Sequence, residues 1–189
     1  MYSVKLMVEE HDNILNLLTV IKKACCGIMD GQEVNDSDFR KIIEFARNYA
    51  DKHHHGKEEQ ILFREMTDRL GDIGSKLIKQ GMLVEHDMGR LHISELEKAI
   101  NQYKDNPRTE AKLGIVTEAM GYANLLQRHI DKENLVVYTY AEKNLSPDVL
   151  ESVDQRVRAF EAEADMNQIQ ETYIKILQEL EEKYSASLL

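Results

Sequence analysis

The sequence contains no tryptophan, only two prolines and nine glycines among its 189 residues, and 6% aromatic residues. Short strands and their turns need proline and glycine, so this scarcity argues against a β-sandwich or a β-barrel and favours long helices. No apolar run is long enough to span a bilayer, and the N-terminal residues show no secretory signal. We therefore expect an all-α protein without a membrane partner.

Cysteine and positive charge are also scarce. The only two cysteines, Cys25 and Cys26, are adjacent, which suits neither a disulfide nor a zinc site. They are predicted to be small buried residues on a helix in a reducing cytoplasm. The net charge of −10 repels phosphate backbones, so we expect no nucleic-acid partner.

Apolar residues at helical spacing predict five helical segments. Their approximate bounds are 3–29, 36–70, 72–103, 107–144 and 147–184, and the last reads as one broken helix or two short ones. The boundaries between these segments are marked by capping residues at 35–37, by Gly71 and by the two prolines. Short connections between the first four segments predict an antiparallel up-down-up-down four-helix bundle over residues 1–145, with a C-terminal helical extension over 146–189.

The extension carries an apolar stripe but no histidine. We expect it to contribute packing rather than chemistry, on the outside of its own bundle in preference to a dimer partner, so that a monomer and a homodimer both stay open. Its acidic stretch, which contains Glu161, Glu163 and Asp165, is predicted to be a solvated face or a break between two helices.

The feature that the sequence does have is the heptapeptide HHHGKEE at residues 53–59. Such a run on a polar helix is often only a solvated face. A shift of 75 residues, however, places the first half of the chain on the second. It pairs His11 with His86, His54 with His129, and Glu58 with Glu133. Each copy thus has one histidine on its first helix and a His-x-x-x-Glu on its second.

This duplication has a geometric meaning. Residues four apart on an α-helix lie on one face, and equal distances from the interhelical turns place all four histidines at one level of an antiparallel bundle. Their neighbours on these faces are apolar, where unpaired charges are costly and metal coordination satisfies them. The predicted metal ligands are His11, His54, Glu58, His86, His129 and Glu133. The alternative register uses His55 and Glu59.

Mixed imidazole and carboxylate ligation suits iron. The order His-x-x-x-Glu differs from the Glu-x-x-His of ferritin-like bundles, and the sequence contains no HExxH zinc-protease motif. Of the remaining candidates, His92 is expected on the surface. Tyr122 is expected either to form a hydrogen bond near the site or to pack in the core.

Taken together, four motifs resemble the bacterial hemerythrin-like family, the HHE cation-binding domain, over about residues 1–145. They are Glu10-His11-Asp12, His54-His55-Gly56-Lys57-Glu58-Glu59, Glu85-His86-Asp87 and His129-Ile130-Asp131-Lys132-Glu133. The resemblance implies a non-haem di-iron centre, with two iron ions joined by an oxo or hydroxo bridge. It implies that His11 and His129 hold one ion, that His54 and His86 hold the other, and that Glu58 and Glu133 bridge them.

The chain departs from the oxygen-carrying hemerythrins at Arg90, where they have a fifth histidine. The resemblance therefore implies a more open site that favours redox chemistry with O₂, nitric oxide or peroxide, in stress response or sensing, over simple oxygen carriage. An iron-donating repair protein, a nitric oxide or peroxide reductase, and a metal-dependent regulatory module are the alternatives.

Overall fold

The computed structural model describes residues 1–185, which form six long helices and no strand. The helices are α1 (Tyr2–Met29), α2 (36–69), α3 (71–105), α4 (109–144), α5 (Pro147–Met166) and α6 (Ile169–Ser185). The predicted all-α class is confirmed, and the C-terminal extension consists of two helices. None of the described helices is both long and apolar enough to cross a membrane.

Local sequence explains the helix boundaries. The side chain of Asn35 accepts a hydrogen bond from the backbone N–H of Asp38 at 3.1 Å and so caps the start of α2. Gly31 and Gly71 adopt positive φ angles of 93° and 61° where α1 and α2 end. Gln168, with φ of 53°, separates α5 from α6. The fourth helix begins at Thr109, two residues later than the sequence predicted.

Helices α2, α3 and α4 each contain π-helical turns, namely Ala46–His55, Glu58–Leu62, Leu77–Met82 and Glu133–Val137. In a π-turn the hydrogen bonds join residues i and i+5, so each residue turns about the helix axis by a smaller angle than in an α-helix. Neighbouring side chains therefore point in more similar directions. This geometry helps α2 to bury His53, His54 and His55 together, at 3%, 0% and 4% exposure. Such turns are rare and occur frequently at functional sites.

The core consists of two apolar clusters with a layer of polar side chains between them. Along α1, Met7 belongs to one cluster and Ile14 to the other, while His11 lies between them and is fully buried. Helices α2, α3 and α4 follow the same order and place the remaining predicted ligands in this layer: His54, Glu58, His86, His129 and Glu133. The structure therefore brings the four histidines to one level, as predicted from their distances to the turns.

The two C-terminal helices bury their apolar stripe against the rest of the chain. Val153 and Val157 of α5 join one apolar cluster, and Leu177 and Leu180 of α6 join the other. Met166, at the end of α5, is exposed. Much of the stripe thus packs against its own chain, and whether the extension also contributes to a dimer stays a prediction.

Helix α5 also caps the start of α1. The carboxylate of Asp154 accepts hydrogen bonds from the backbone N–H groups of Tyr2 and Ser3, both at 2.9 Å, and from the Ser3 hydroxyl at 2.7 Å. Partial burial would raise the pKa of Asp154, but these hydrogen bonds outweigh it and hold the pKa below the ordinary value of 3.8.

Cys25 and Cys26 are both free thiols. Cys25 is buried, as predicted, and burial raises the pKa of its thiol to about 12. The prediction is wrong for Cys26, which is exposed, because successive positions on a helix face different directions.

Candidate metal centre

The centre of the polar layer is occupied by two pairs of buried histidines whose Nε2 atoms face each other. The Nε2 atoms of His11 and His54 are 2.9 Å apart, and those of His86 and His129 are 3.1 Å apart. Each pair comes from the two helices of one sequence copy, α1 with α2 and α3 with α4. Each pair thus presents two ring nitrogens at a single point.

The second histidine of each pair is held from behind by a glutamate. The Nδ1 of His54 donates to Glu10 at 2.8 Å, and the Nδ1 of His129 donates to Glu85 at 3.0 Å. A carboxylate at Nδ1 fixes both the orientation of the ring and its tautomer, which directs Nε2 toward the interior. Histidines that bind metals in proteins are usually supported in this way.

The first histidine of each pair is held in the same manner. The Nδ1 of His11 donates to Asn134 at 2.8 Å, and the Nδ1 of His86 donates to Glu59 at 2.7 Å. The 75-residue shift that pairs the histidines also pairs Glu10 with Glu85 and Glu59 with Asn134. The duplication read from the sequence therefore extends to the groups that support the rings.

These hydrogen bonds determine what can lie between His11 and His54. Burial and the neighbouring His11 lower the pKa of His54 to about 4, although Glu10 acts in the opposite direction. His54 is thus neutral at pH 7, with its proton on Nδ1. The Nε2 of His54 therefore carries a lone pair, which faces the Nε2 of His11 at 2.9 Å. A metal ion could be bound by both nitrogens at this point.

The other pair contains a protonated ring in the metal-free protein. Burial alone would lower the pKa of His129, but Glu133 and Glu85 outweigh it and raise the pKa to about 9. The Nε2 of His129 lies 3.2 Å from Glu133 Oε1. A metal ion that binds here must displace this proton.

Two fully buried carboxylates complete the layer. Glu58 accepts a hydrogen bond from the hydroxyl of Tyr138 at 2.6 Å, but its Oε2 has no hydrogen-bond partner. Neither oxygen of Glu133 has one, although the Nε2 atoms of His11 and His129 each lie 3.2 Å away. Buried oxygens without partners are costly in an apolar core, and a metal ion bound between these side chains would satisfy them.

The two carboxylates titrate in opposite directions. Burial and the neighbouring charge of Glu133 raise the pKa of Glu58 well above its ordinary value. Burial would also raise the pKa of Glu133, but the surrounding histidines, with His129 foremost, lower it well below the usual range. Glu58 therefore takes up a proton at a higher pH than Glu133 does.

His55 adds a fifth imidazole to the centre. Its ring stacks on His86 with 3.8 Å between centroids and 8° between planes, and its Nδ1 lies 3.4 Å from Asp51 Oδ1. Its buried Nε2 has no hydrogen-bond partner. Burial and the neighbouring His86 lower its pKa well below the ordinary value, so the ring is a neutral donor.

The donor atoms fall into two groups whose members all lie within 4.8 Å of one another. The first comprises His11, His54, Glu58 and Glu133, and the second comprises His55, Glu58, His86 and His129. Glu58 belongs to both groups and thus lies between the two candidate ion positions.

Comparison with protein families agrees with this arrangement. The family model of the hemerythrin HHE cation binding domain matches residues 3–141. The chain belongs to this family. Comparison with curated proteins and with solved structures yields no match. The hemerythrin match spans α1 to most of α4 and includes every residue of the two groups, whereas α5 and α6 lie beyond it.

The pairing of histidines that the hemerythrin resemblance implied is wrong. It grouped His11 with His129 and His54 with His86, whereas the structure groups His11 with His54 and His86 with His129. The physical reason is that the two histidines of each facing pair come from the two helices of one hairpin, although each group also includes at least one side chain from the other hairpin.

His55 is the residue of this hemerythrin centre that the predicted ligand set omitted. Its counterpart in the second copy is Ile130, so the repeat contained no signal for it. The alternative register paired it with Glu59, but Glu59 instead accepts a hydrogen bond from Nδ1 of His86. The sequence feature that could have indicated His55 is Asp51, which lies four residues earlier and so on the same helix face, where it can hold the His55 ring.

Arg90 is the residue for which the resemblance implied a fifth histidine, and it belongs to neither group of donor atoms. Its guanidinium pairs with Asp51 and Glu59, each at 2.7 Å. Because these two carboxylates support His55 and His86, Arg90 stabilises the second group from outside. The more open site implied by the resemblance stays a prediction; beside His86, the imidazole of His55 offers a further nitrogen to the second group.

Two further predicted residues lie apart from both groups. His92 is half-buried and pairs with Glu118 at 2.8 Å, so it contributes no ligand atom. Tyr122 packs in the core, as one of its two predicted roles required, and burial raises the pKa of its hydroxyl. It also lines a cavity beside His55.

Proposed function

We propose that this hemerythrin-family chain holds two iron ions in the polar layer and there binds or reacts with O₂, nitric oxide or hydrogen peroxide, in oxygen or redox stress response or sensing. The observation that carries the proposal is a set of four buried atoms without hydrogen-bond partners, all in the two groups: His55 Nε2, Glu58 Oε2 and both carboxylate oxygens of Glu133. Each is a donor of the kind that iron accepts.

In this proposal His11 and His54 hold the first ion, and His55, His86 and His129 hold the second. Glu58, which belongs to both groups, would offer oxygen ligands to either ion, and Glu133 would help to hold the first. Bound iron supplies the change of oxidation state that the side chains lack. The protein excludes bulk water with the apolar clusters on both sides and fixes each imidazole through its Nδ1 hydrogen bond.

We further infer that α1 to α4 form an up-down-up-down antiparallel four-helix bundle around the ions. The support is that all four helices cross the polar layer at their histidines or glutamates and carry apolar residues on either side of it. The family match ends at residue 141, close to the end of α4, so that α5 and α6 are additions to this unit.

A small cavity supports a small ligand. It has a volume of about 140 Å³ and is lined by His55, His86, Gly89, Arg90 and Tyr122, among others. A cavity of this size has room for a molecule as small as O₂, nitric oxide or peroxide. Its position beside His55 and His86 would let such a ligand reach the second group.

The test is anaerobic loading with Fe(II), followed by metal analysis and by optical spectra on addition of O₂, nitric oxide or peroxide. We expect about two iron ions per chain and a spectral change with at least one of the three ligands. His54→Ala should lower the iron content to about one, whereas the control His92→Ala should leave it unchanged.

The same spectra separate the candidate functions. A reversible change without turnover supports binding or sensing, and turnover with an added reductant supports the reductase alternative. Wild-type protein that retains no iron, or His54→Ala with the full iron content, would contradict the proposal. A cytoplasmic location, the absence of nucleic-acid and membrane partners, and a monomer or homodimer stay predictions.

A further inference from the structure

Lys57 is a fully buried lysine next to the candidate centre. Its ammonium group contacts two carboxylates, those of Glu10 and Glu161, and lies 3.1 Å from Nε2 of His53. Lysine is almost never fully buried unless it is paired. The position of Lys57 therefore depends on both glutamates.

The second of these glutamates comes from outside the family domain. Glu161 belongs to α5, which begins after the end of the hemerythrin match at residue 141. It is 7% exposed, so the predicted solvated face is wrong at this position, whereas Glu163 and Asp165 are exposed as predicted. Gln170 of α6 donates to its second oxygen at 2.8 Å.

A continuous path of contacts leads from α5 to a candidate ligand. Glu161 contacts Lys57, Lys57 contacts Glu10, and Glu10 accepts the Nδ1 proton of His54 at 2.8 Å. His53 lies beside this path, with its Nε2 3.1 Å from Glu10 and 3.4 Å from Glu161.

The second sequence copy provides an internal comparison. Lys132 contacts Glu85, and Glu85 accepts the Nδ1 proton of His129 at 3.0 Å, just as Lys57 and Glu10 serve His54. The lysine environments nevertheless differ, because the side chain of Lys132 is 49% exposed whereas that of Lys57 is 0% exposed. Helix α5 thus makes the two halves of a duplicated centre unequal.

We propose that Glu161 is a positioning residue for the metal centre, which acts through Lys57 and Glu10 to hold His54 ready to bind the first ion. This inference rests on the proposed function. By sharing the charge of Lys57, Glu161 leaves Glu10 a strong acceptor for the His54 proton. A strong acceptor at Nδ1 keeps the ring oriented and its Nε2 basic.

The same residues do not form a third metal site. Glu10, His53 and Glu161 have ligand atoms within 4.8 Å of one another, which is a geometry able to hold an ion. The ammonium group of Lys57 already contacts both carboxylates, so a cation of the protein itself serves that cluster.

The test compares Glu161→Gln with Glu163→Gln, which removes the same charge from an exposed position on the same helix. In Glu161→Gln, anaerobic titration with Fe(II) should show an affinity about tenfold lower for the weaker of the two binding steps. This is the lower end of the effect expected when a group that supports a metal ligand is lost. Glu163→Gln should bind like the wild type. In metal-free protein, ¹⁵N NMR of the imidazoles should show a weakened Nδ1–H bond at His54 and an unchanged one at His129.

A second variant separates positioning from packing. In Lys57→Met/Glu161→Gln the charge that competes for Glu10 is gone, so the His54 signal and the Fe(II) affinity should return toward the wild type. A packing role predicts instead that the double variant is worse than the single one, and that result would overturn the proposal.

Two other results would also overturn it: Glu161→Gln with wild-type affinity and an unchanged His54 signal, or equal changes at His54 and His129. Wild-type protein that takes up no Fe(II) would instead refute the proposed function. The NMR comparison on metal-free protein would still decide the role of Glu161.

Discussion

Removal of the metal should lower the stability of the protein substantially. In the metal-free chain, His55, Glu58 and Glu133 leave four buried polar atoms without hydrogen-bond partners. Bound ions satisfy all of these groups and are absent from the unfolded chain, so their binding energy becomes folding energy.

The magnitude follows from the number of unsatisfied atoms. Because both Glu133 oxygens lie 3.2 Å from imidazole nitrogens, only His55 Nε2 and Glu58 Oε2 are counted as unsatisfied. An unsatisfied buried polar atom costs about 1–3 kcal/mol, so these two cost about 4 kcal/mol together at the middle of that range. The entropy of unfolding near 60 °C is about 2.1 cal/mol/K per residue, or about 0.4 kcal/mol/K for a chain of 189 residues. The ratio of these two values predicts that iron removal lowers the melting temperature by about 10 °C.

The measurement is differential scanning calorimetry of iron-loaded, chelator-stripped and reloaded protein. Reloading should restore the original melting temperature. A His54→Ala/His129→Ala variant, which loses one imidazole from each group, should be insensitive to the chelator and serves as the control. A melting temperature that stays within about 2 °C of the loaded value after verified iron removal would refute this reasoning, since a shift that small is less than about 1 kcal/mol.

Three further predictions concern single side chains. His55→Ala should reduce bound iron from about two to about one per chain by metal analysis, and an unchanged content would restrict the centre to the six ligands predicted from sequence. Tyr138→Phe leaves Glu58 without its donor and should cost about 1–3 kcal/mol in urea unfolding, so a neutral result would discount that bond. Asp154→Asn should destabilise the protein at neutral pH. Because the folded pKa of Asp154 is lowered, its contribution is present above pH 3.8 and is lost as the pH falls through the folded value, so the variant and the wild type should converge in acid. A constant difference between them would show that charge is not the cause.

Part of this structure was predictable because it depends on local chemistry. Helix ends follow from capping residues such as Asn35 and from glycines such as Gly31 and Gly71, which act within a few residues of themselves. The polar layer was predictable from spacing, since equal distances from a turn give equal heights. The ligand role of its members stays a prediction.

The rest depends on tertiary contacts that one sequence does not display. Which histidines pair depends on which helices are neighbours, and spacing alone is compatible with either arrangement. His55 faces the centre in a helix with π-turns, a backbone feature without a sequence signature. Glu161 is buried because α5 packs over Lys57, and these two residues are 104 positions apart in the sequence. The stretch of acidic residues around Glu161 gave no sign of it.

The polar layer also bears on how cooperatively the chain folds. Because it separates the two apolar clusters, each cluster can lose its packing without first exposing the other. Ions bound by side chains from α1, α2, α3 and α4 would link the two apolar clusters to each other. The metal-free chain is therefore expected to exchange its amide hydrogens in two separately opening units, and the metal-bound chain in one. Metal binding would thus couple the unfolding of the two apolar clusters.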